Sequence, residues 1–375
     1  MKVLFISQNL PGPMEPLIEA FAADPANTVF VASMRHRGQA PAAPIRRVML
    51  KKCNVEKYAR TYAGFLELAM HTAQNAATAW QTMINENIDP DLICSCASNG
   101  TAFGLGQYFP KAAKIGYADP GLLGCSDNAL RDARQLVQEL QFRESDLNFA
   151  FCREQLPSSL LPPARIPRIL PLFTDTAYFA PAGKGRDLLI FCGYKPHINL
   201  NAAFNFLQAW LKRNPASRGR ILAENALAGT ARPEFLTHFA PELRQQIEIL
   251  KNPEKDYWQE ALAQSGLMLC LGGDAWPNRR LLDAMSAGVP IASANATELL
   301  QPGNTCLQLP QKTGVWLDFV DAVINQPESV MAISRGAREY VEENHCQARI
   351  LSGHMAEIMR LVEAKGTINP ALAWD

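Results

Sequence analysis

The sequence predicts an α/β protein built from two doubly wound, Rossmann-like parallel sheets that face each other across a cleft. Short apolar runs alternate with longer amphipathic runs along most of the 375 residues. The apolar runs are continuous rather than alternating, which is typical of parallel strands buried on both faces. The segment 173–186, rich in Pro, Gly and polar residues, interrupts this rhythm before it restarts and is predicted to be the domain linker. Because the chain is also too long for one ordinary core, two domains are expected.

Each predicted strand is a short apolar run, and each predicted helix is an amphipathic run. In the first half the predicted strands are 3–7, 29–33, 92–96, 114–118, 148–152 and 168–172, and the helices are 14–23, 55–87, 100–107 and 127–143. In the second half the strands are 188–193, 220–224, 247–250, 267–271 and 289–293, and the helices are 199–213, 233–245, 255–264, 279–287, 315–325, 328–343 and 347–364. The predicted domains are 1–180 and 181–346, and 347–375 is a helix and tail that crosses back to the first domain.

Composition excludes several classes of protein. Lys plus Arg and Asp plus Glu number 36 each, so the formal net charge is zero and nucleic-acid binding is not expected. The nine cysteines are mostly scattered through apolar runs, which predicts reduced, buried thiols. No CxxC or HExxH spacing occurs, so no metal is predicted. The N-terminus resembles a first strand rather than a signal peptide, and no apolar run reaches the roughly 20 residues of a membrane span. A cytoplasmic protein with at most peripheral membrane contact is expected.

Polar residues follow several predicted strands of the first domain. Gly12 lies between two prolines after the first strand, where it either sets the turn or lets backbone approach a ligand. Ser98 and Asn99 follow the third strand, and either could cap the next helix or present a helix N-terminus to an anion or a sugar hydroxyl. Asp119 follows the fourth strand in an Asp-Pro-Gly turn, which is usually structural.

The strand that opens the second domain leads into Gly193, Tyr194 and Lys195. Gly193 permits a tight exit from the strand. A lysine at this position can meet a phosphate as a point charge, although an exposed lysine without a role is the alternative.

A helix with two arginines in its first turn follows the strand at 267–271, in "LMLCLGGDAWPNRRLLDAMSAGVPIAS". Asn278 can cap this helix, or Pro277 can occupy its first turn. The helix dipole disfavours cations at its start, so Arg279 and Arg280 indicate an anion shared with the helix N-terminus. Asp283, four and three residues later, offers the competing explanation of an internal ion pair.

The segment "LLDAMSAGVPIAS" resembles the "LLEAMAxGxPVVAS" segment of family 4 glycosyltransferases, which have the GT-B architecture. Further segments are similar in the same order along the chain: "VLFISQNLPGPMEPLIEAFA", "IDPDLICSCASNGTAFGLGQYFPKAAKIGYAD", "LPLFTDTAYFAP" and "AREYVEENHCQARI". The resemblance implies transfer of a sugar from a nucleotide-diphosphate sugar, with retention and without a metal or other cofactor. It implies that the second domain holds the donor, and that the first holds a glycan, lipid-linked or protein acceptor, in bacterial glycan biosynthesis.

The resemblance also implies roles for individual residues. Asp283 matches the second acid of the family's E-x7-E motif, which accepts hydrogen bonds from the donor ribose, and Asp274 is the acid nearest to the first position of that motif. The loop 250–258 matches the place where the base is held by backbone groups. The catalytic candidates are Asp274, Lys195, Arg280 and Asn99. The donor-binding candidates are Gly12, Gly193, Tyr194, Lys195, Leu250, Lys251, Pro253, Gly273, Asn278, Arg279, Arg280 and Asp283.

Two other functions fit the same pattern. One is a degenerate GT-B protein that binds nucleotide or glycan without turnover. The other is a GT-B sugar-nucleotide epimerase, which would call for acids and His residues at the cleft.

Overall fold

The computed structural model divides the chain into two compact units. It describes residues 1–10, 14–36, 45–51, 61–96, 100–119, 127–152, 155–156, 161–181, 185–192, 196–222, 236–250, 253–271 and 278–366. The first unit is Met1–Pro171 together with Arg349–Asp375, and the second is Leu172–Ala348.

The first unit is a parallel sheet flanked by helices. Its strands are β1 (Lys2–Leu10), β2 (Thr28–His36), β3 (Arg46–Met49), β4 (Leu92–Cys96), β5 (Ala113–Tyr117), β6 (Leu147–Ala150) and β7 (Arg168–Ile169), in the order β3-β2-β1-β4-β5-β6-β7. Its helices are α1 (Glu15–Ala23), α2 (Tyr62–Asn85), α3 (Leu105–Tyr108) and α4 (Asn128–Glu144), with a 3-10 turn at Pro163–Arg165. The strand order changes direction at β1, as in doubly wound sheets.

The second unit repeats this design. Its strands are β8 (Asp187–Phe191), β9 (Gly219–Leu222), β10 (Ile247–Leu250), β11 (Ser265–Cys270), β12 (Ile291–Ser293) and β13 (Leu307–Gln308), in the order β10-β9-β8-β11-β12-β13. Its helices are α5 (Pro196–Arg213), α6 (Lys255–Gln264), α7 (Arg279–Ser286), α8 (Trp316–Asn325) and α9 (Met331–Asn344), with 3-10 turns at Pro241–Gln246, Thr313–Val315 and Pro327–Val330. The last helix, α10 (Gln347–Ala364), continues into the first unit.

The sequence pattern accounts for these elements. The central strands are buried on both faces; for example, every residue from Val3 to Ile6 in β1 is fully buried. The longest helices of the first unit begin at side-chain caps, where Thr61 accepts from Gly64 N at 3.1 Å and Asp127 accepts from Leu130 N at 3.1 Å. The predicted parallel sheets are therefore confirmed. The seven cysteines within the described ranges are all free thiols, and six of them are buried.

Several elements differ from the prediction for identifiable reasons. The strand predicted at 289–293 starts only at Ile291, because Pro290 has no N–H for the ladder, and the strand predicted at 168–172 ends before Pro171. The helix predicted at 100–107 shrinks to α3, because Gly100 and Gly104 adopt left-handed φ values of +87° and +73°.

Two short strands were missed and one helix was wrong. The edge strand β3 reads "RRVM" and is largely exposed, so it lacks an apolar run. The strand β13 is only two residues long. The helix predicted at 233–245 is a 3-10 turn from Pro241 in its second part, and residues 231–235 lie outside the described residues.

The segment predicted as a linker belongs to the second unit. Phe179 is 1% exposed within the second unit's core, and its carbonyl accepts a hydrogen bond from Ser286 Oγ at 3.0 Å. Thr174 pairs with Cys346 in a parallel bridge. The division of the chain at Leu172 is consequently earlier than the predicted boundary at residue 180.

Candidate functional site

The topology of the second unit fixes where a ligand would bind. The strand order changes direction at β8, which has β9 on one side and β11 on the other. In open α/β sheets the ligand crevice lies outside the carboxyl ends of the strands at such a switch point. The chain leaves β11 at Cys270 and begins α7 at Arg279. The N-terminus of α7 therefore follows β11, one of the two strands that flank β8 at the switch point.

The start of α7 is a capped helix N-terminus with two cations and no acid. The Asn278 side chain accepts a hydrogen bond from Arg280 N at 2.7 Å, which confirms the predicted cap. Asn278 is only 3% exposed, so the cap is shielded from water. The helix ends as predicted at Ala287–Gly288, where Gly288 takes a left-handed φ of +71°.

The Arg280 guanidinium is packed against α6 and the residues that precede it. Its Nη2 donates to the carbonyl of Pro253 at 2.8 Å, and its centre lies 5.2 Å from the centroid of the Trp258 ring. Its Nη1 lies 3.9 Å from Asp283 Oδ2, and the side chain is 19% exposed. For Arg280, the internal ion pair inferred from the spacing is therefore present. The same side chain connects α7 to α6 through a backbone contact and a cation–π contact.

Arg279 differs from its neighbour. No hydrogen bond or ion pair of its side chain occurs within the described part of the chain, although its charge lowers the pKa of Asp283. The predicted pairing of Arg279 with Asp283 as a direct ion pair is not observed. The guanidinium of Arg279 lies in the first turn of α7, where its charge is unfavourable next to the positive end of the helix dipole. An external anion would interact favourably with both the guanidinium and the dipole.

The buried carboxylate of Asp283 in α7 bonds to side chains from two other segments of the second unit. It is 1% exposed, its Oδ1 accepts from the Thr174 hydroxyl, and its Oδ2 accepts from Trp258 Nε1 at 3.0 Å. Burial raises the pKa of Asp283, while the charges of Arg279 and Arg280 and the two hydrogen bonds act in the opposite direction. Both carboxylate oxygens thus have partners inside the unit. The predicted contact with a donor ribose stays a prediction.

Thr174 and Trp258 are site residues that the sequence did not reveal. Both are fully buried, and they meet Asp283 from positions 109 and 25 residues away along the chain. Thr174 lies in the stretch interpreted as a linker, and Trp258 ends the segment predicted to hold the base through backbone groups, so neither side chain was assigned a role. The only available sign was that each side chain carries one polar atom in otherwise apolar surroundings, because a buried indole N–H needs an acceptor.

The predicted base-binding segment is partly described. Leu250 ends β10 and is 2% exposed, so its side chain belongs to the core. Pro253 has no N–H, and its carbonyl accepts from Arg280. Backbone recognition of a base by these residues therefore stays a prediction. The other predicted site residues lie outside the described residues: Gly12, Asn99, Gly193, Tyr194, Lys195, Lys251, Gly273 and Asp274.

Within the described ranges, no group of three or more His, Cys, Asp or Glu side chains is arranged to hold a metal ion. None of the helices described here has the length and apolar character needed to cross a membrane. The expectations of a metal-free reaction and of a cytoplasmic location stay predictions.

Comparison with known proteins bears on both units. Residues 25–119 match the model of the glycosyl transferase family 4 group. Sucrose-phosphate synthase from Thermosynechococcus elongatus has a similar structure, with a TM-score of 0.67 at 12% identity over 97% of this chain and 99% of that chain. HepE from Anabaena, solved in complex with UDP-glucose, gives a TM-score of 0.65 at 14% identity over 97% and 100% of the two chains. A glycosyltransferase from Rickettsia africae gives 0.60 at 11% identity over 96% and 98%.

These comparisons confirm the fold class and the resemblance. The similar structures extend over nearly the whole chain, so the GT-B class of two Rossmann-like domains is established. The family match extends over residues 25–119 and supports the resemblance for that segment. No curated protein matches this sequence.

Proposed function

We propose that this protein is a glycosyltransferase that takes a sugar from a nucleotide-diphosphate sugar bound to its second unit. The observation that carries the proposal is the start of α7: a capped helix N-terminus with Arg279 unpaired among the described side chains, at the carboxyl end of β11. The family 4 match and the UDP-glucose complex of the similar HepE structure support the choice of donor.

The chemistry of the reaction explains why such a site is needed. When the glycosidic bond to the donor breaks, negative charge develops on the departing diphosphate and the sugar becomes oxocarbenium-like. Arg279 and the positive end of the α7 dipole would stabilise the diphosphate charge. Lys195, which follows β8 in the sequence, is a second cation that we propose for the diphosphate.

The finer features of the reaction rest on the resemblance. We propose retention of anomeric configuration, independence of metal ions, and a glycan, lipid-linked or protein acceptor at the first unit. We also propose a cytoplasmic enzyme with at most peripheral membrane contact. Nuclear magnetic resonance of the product would report its anomeric configuration, and full activity in a chelating buffer would support metal independence.

A second candidate is a protein of the same fold that binds a nucleotide without turnover. One observation favours it: the oxygens of Asp283, expected to meet the donor ribose, are already bonded to Thr174 and Trp258. An altered ribose contact would weaken donor binding or its orientation, and orientation is what a catalytic site needs in addition to affinity.

One experiment distinguishes the two candidates. The purified protein is incubated with a panel of nucleotide-sugars, with and without sugar acceptors, and release of nucleoside diphosphate is followed. The enzyme proposal predicts acceptor-dependent release that is lost in Arg279→Gln. Arg335→Gln is the matched control, because Arg335 is 75% exposed and 3.9 Å from Glu339 on the surface of α9. Nucleotide binding without release across the panel would support the second candidate, and no nucleotide binding would contradict both.

A further inference from the structure

A row of nitrogen donors lies along one side of α4 in the first unit. Arg131 Nε, Arg134 Nε and Gln138 Nε2 are buried, and none of them has a hydrogen-bond partner among the residues that the structure describes. Their positions i, i+3 and i+7 place them on the same side of the helix. Buried donors without partners are rare in folded proteins, so a row of three needs a specific explanation.

The contacts of α4 show which way this side faces. The Gln138 Oε1 accepts from the backbone N–H of Asp119 at 2.7 Å, just beyond the end of β5. One turn later, Gln141 Nε2 donates to Ser95 Oγ at 2.9 Å, in β4. This side of α4 therefore faces the sheet.

The direction of α4 then places the two arginines. The helix passes from Asp119, beyond the strand ends, to Ser95 within β4 as the numbering rises. At a rise of about 1.5 Å per residue, Arg134 lies about 6 Å before Gln138 along the helix axis, and Arg131 about 10 Å before it. Both guanidinium groups consequently project beyond the carboxyl ends of β4 and β5. Ligands of doubly wound sheets bind at that edge.

Both guanidinium groups are held by their surroundings. The Arg134 guanidinium lies 5.5 Å from the centroid of the Phe65 ring in the first turns of α2. The Arg131 Nη2 donates to Asn128 Oδ1 at 2.5 Å at the start of α4. Asp127 is the N-cap of the helix and accepts from Leu130 N at 3.1 Å. The arginines are thus oriented, and their buried Nε atoms are still unsatisfied.

We propose that Arg131, Arg134 and Gln138 bind an anionic group, a phosphate or a carboxylate, on the sugar acceptor. Guanidinium groups bind these planar or tetrahedral anions through paired N–H donors, and the start of α4 adds the positive end of its dipole. The amide of Gln138 supplies a neutral donor for a neighbouring oxygen. The role of the bound sugar as acceptor rests on the proposed glycosyl transfer, whereas the binding of an anionic sugar does not.

The test compares three sugars that differ only in charge. Binding of glucose 6-phosphate, glucuronate and glucose to the full-length protein is measured by isothermal titration calorimetry. The proposal predicts that at least one anionic sugar binds ten times more tightly than glucose. It predicts that Arg131→Gln and Arg134→Gln each weaken that binding at least tenfold, and that Arg134→Lys retains part of it. Arg143→Gln is the matched control, since Arg143 is an exposed residue in the last turn of α4, and it should bind as wild type does.

Two results would overturn the proposal. One is equal affinity of the wild type for the three sugars. The other is unchanged binding of the anionic sugar by Arg131→Gln and Arg134→Gln when circular dichroism shows both variants folded. UDP is titrated in parallel. If UDP binds while no anionic sugar does, only the proposal of an anion site on α4 is contradicted. If the anionic sugar binds in an arginine-dependent way while UDP does not bind, only the proposal of a nucleotide donor site is contradicted.

Discussion

Replacement of Asp283 tests whether this buried carboxylate holds the second unit together. In Asp283→Ala, the indole N–H of Trp258 and the hydroxyl of Thr174 both lose their acceptor. Both residues are fully buried, so water cannot readily replace the carboxylate. A buried donor left without a partner costs about 1–3 kcal/mol. Two such losses, partly offset by removal of a carboxylate whose burial is itself unfavourable, give an expected destabilisation of about 2–5 kcal/mol.

The conservative variant Asp283→Asn separates stability from binding. The amide keeps one acceptor oxygen and places an NH₂ group against the other donor, so we expect a smaller loss of about 1–3 kcal/mol. If Asp283 also meets the donor ribose, this variant should still lower UDP affinity at temperatures where it is fully folded. If Asp283 only stabilises the fold, the folded Asp283→Asn variant should bind UDP as tightly as wild type does.

The assay must report on the second unit, because a chain of two units need not unfold in a single transition. Hydrogen exchange of α6 and α7 amides gives the local opening free energy directly. Thr174→Val supplies a double-mutant cycle with Asp283→Ala, in which the effects should fall short of additivity by at least about 0.5 kcal/mol. Opening free energies of Asp283→Ala within 0.5 kcal/mol of wild type would refute the reasoning.

Three other predictions follow from the structure. Gly100→Ala should destabilise the first unit by more than about 2 kcal/mol in urea unfolding, because φ is +87° and the added Cβ would lie 2.2 Å from the Ala69 carbonyl oxygen; Gly104→Ala, with φ +73° and open space, should cost only about 1 kcal/mol. Burial lowers the pKa of His354 to about 4. Between about pH 4 and pH 6.5 the imidazole is therefore neutral in the folded protein but protonated in the unfolded chain. Stability should therefore fall by up to about 3 kcal/mol between pH 6.5 and pH 4, and His354→Gln should lack this part of the pH dependence in acid unfolding; equal pH profiles would contradict it. Asn278→Ala should cost about 1 kcal/mol through loss of the α7 cap and should weaken UDP binding, and unchanged thermal stability would argue against the cap.

The periodic features of the fold were predictable from the sequence. The strands β4 and β10 and the helix α6 were predicted at their observed bounds, because apolar runs and helical periodicity are local properties. The Asn278 cap was predicted for the same reason, since a cap is determined within a few residues. Prolines and left-handed glycines shifted element ends where the backbone could not continue.

The buried polar contacts were not predictable. Thr174, Trp258 and Asp283 come together from three elements, and no local pattern connects them. The opposite behaviour of Arg279 and Arg280 is also a tertiary effect, because adjacent residues on a helix point about 100° apart and only one meets α6. The row of donors on α4 is likewise a tertiary feature, because the contacts of Gln138 and Gln141 determine which side of the helix faces the sheet.

The affinity of UDP for Arg279→Gln tests most directly whether the start of α7 binds the donor diphosphate. A lost charge-assisted contact to a phosphate corresponds to about 1.5–3 kcal/mol. We therefore expect the Kd of Arg279→Gln for UDP to be at least about tenfold higher than that of wild type and of the exposed control Arg335→Gln. Equal Kd values for the three proteins would contradict it.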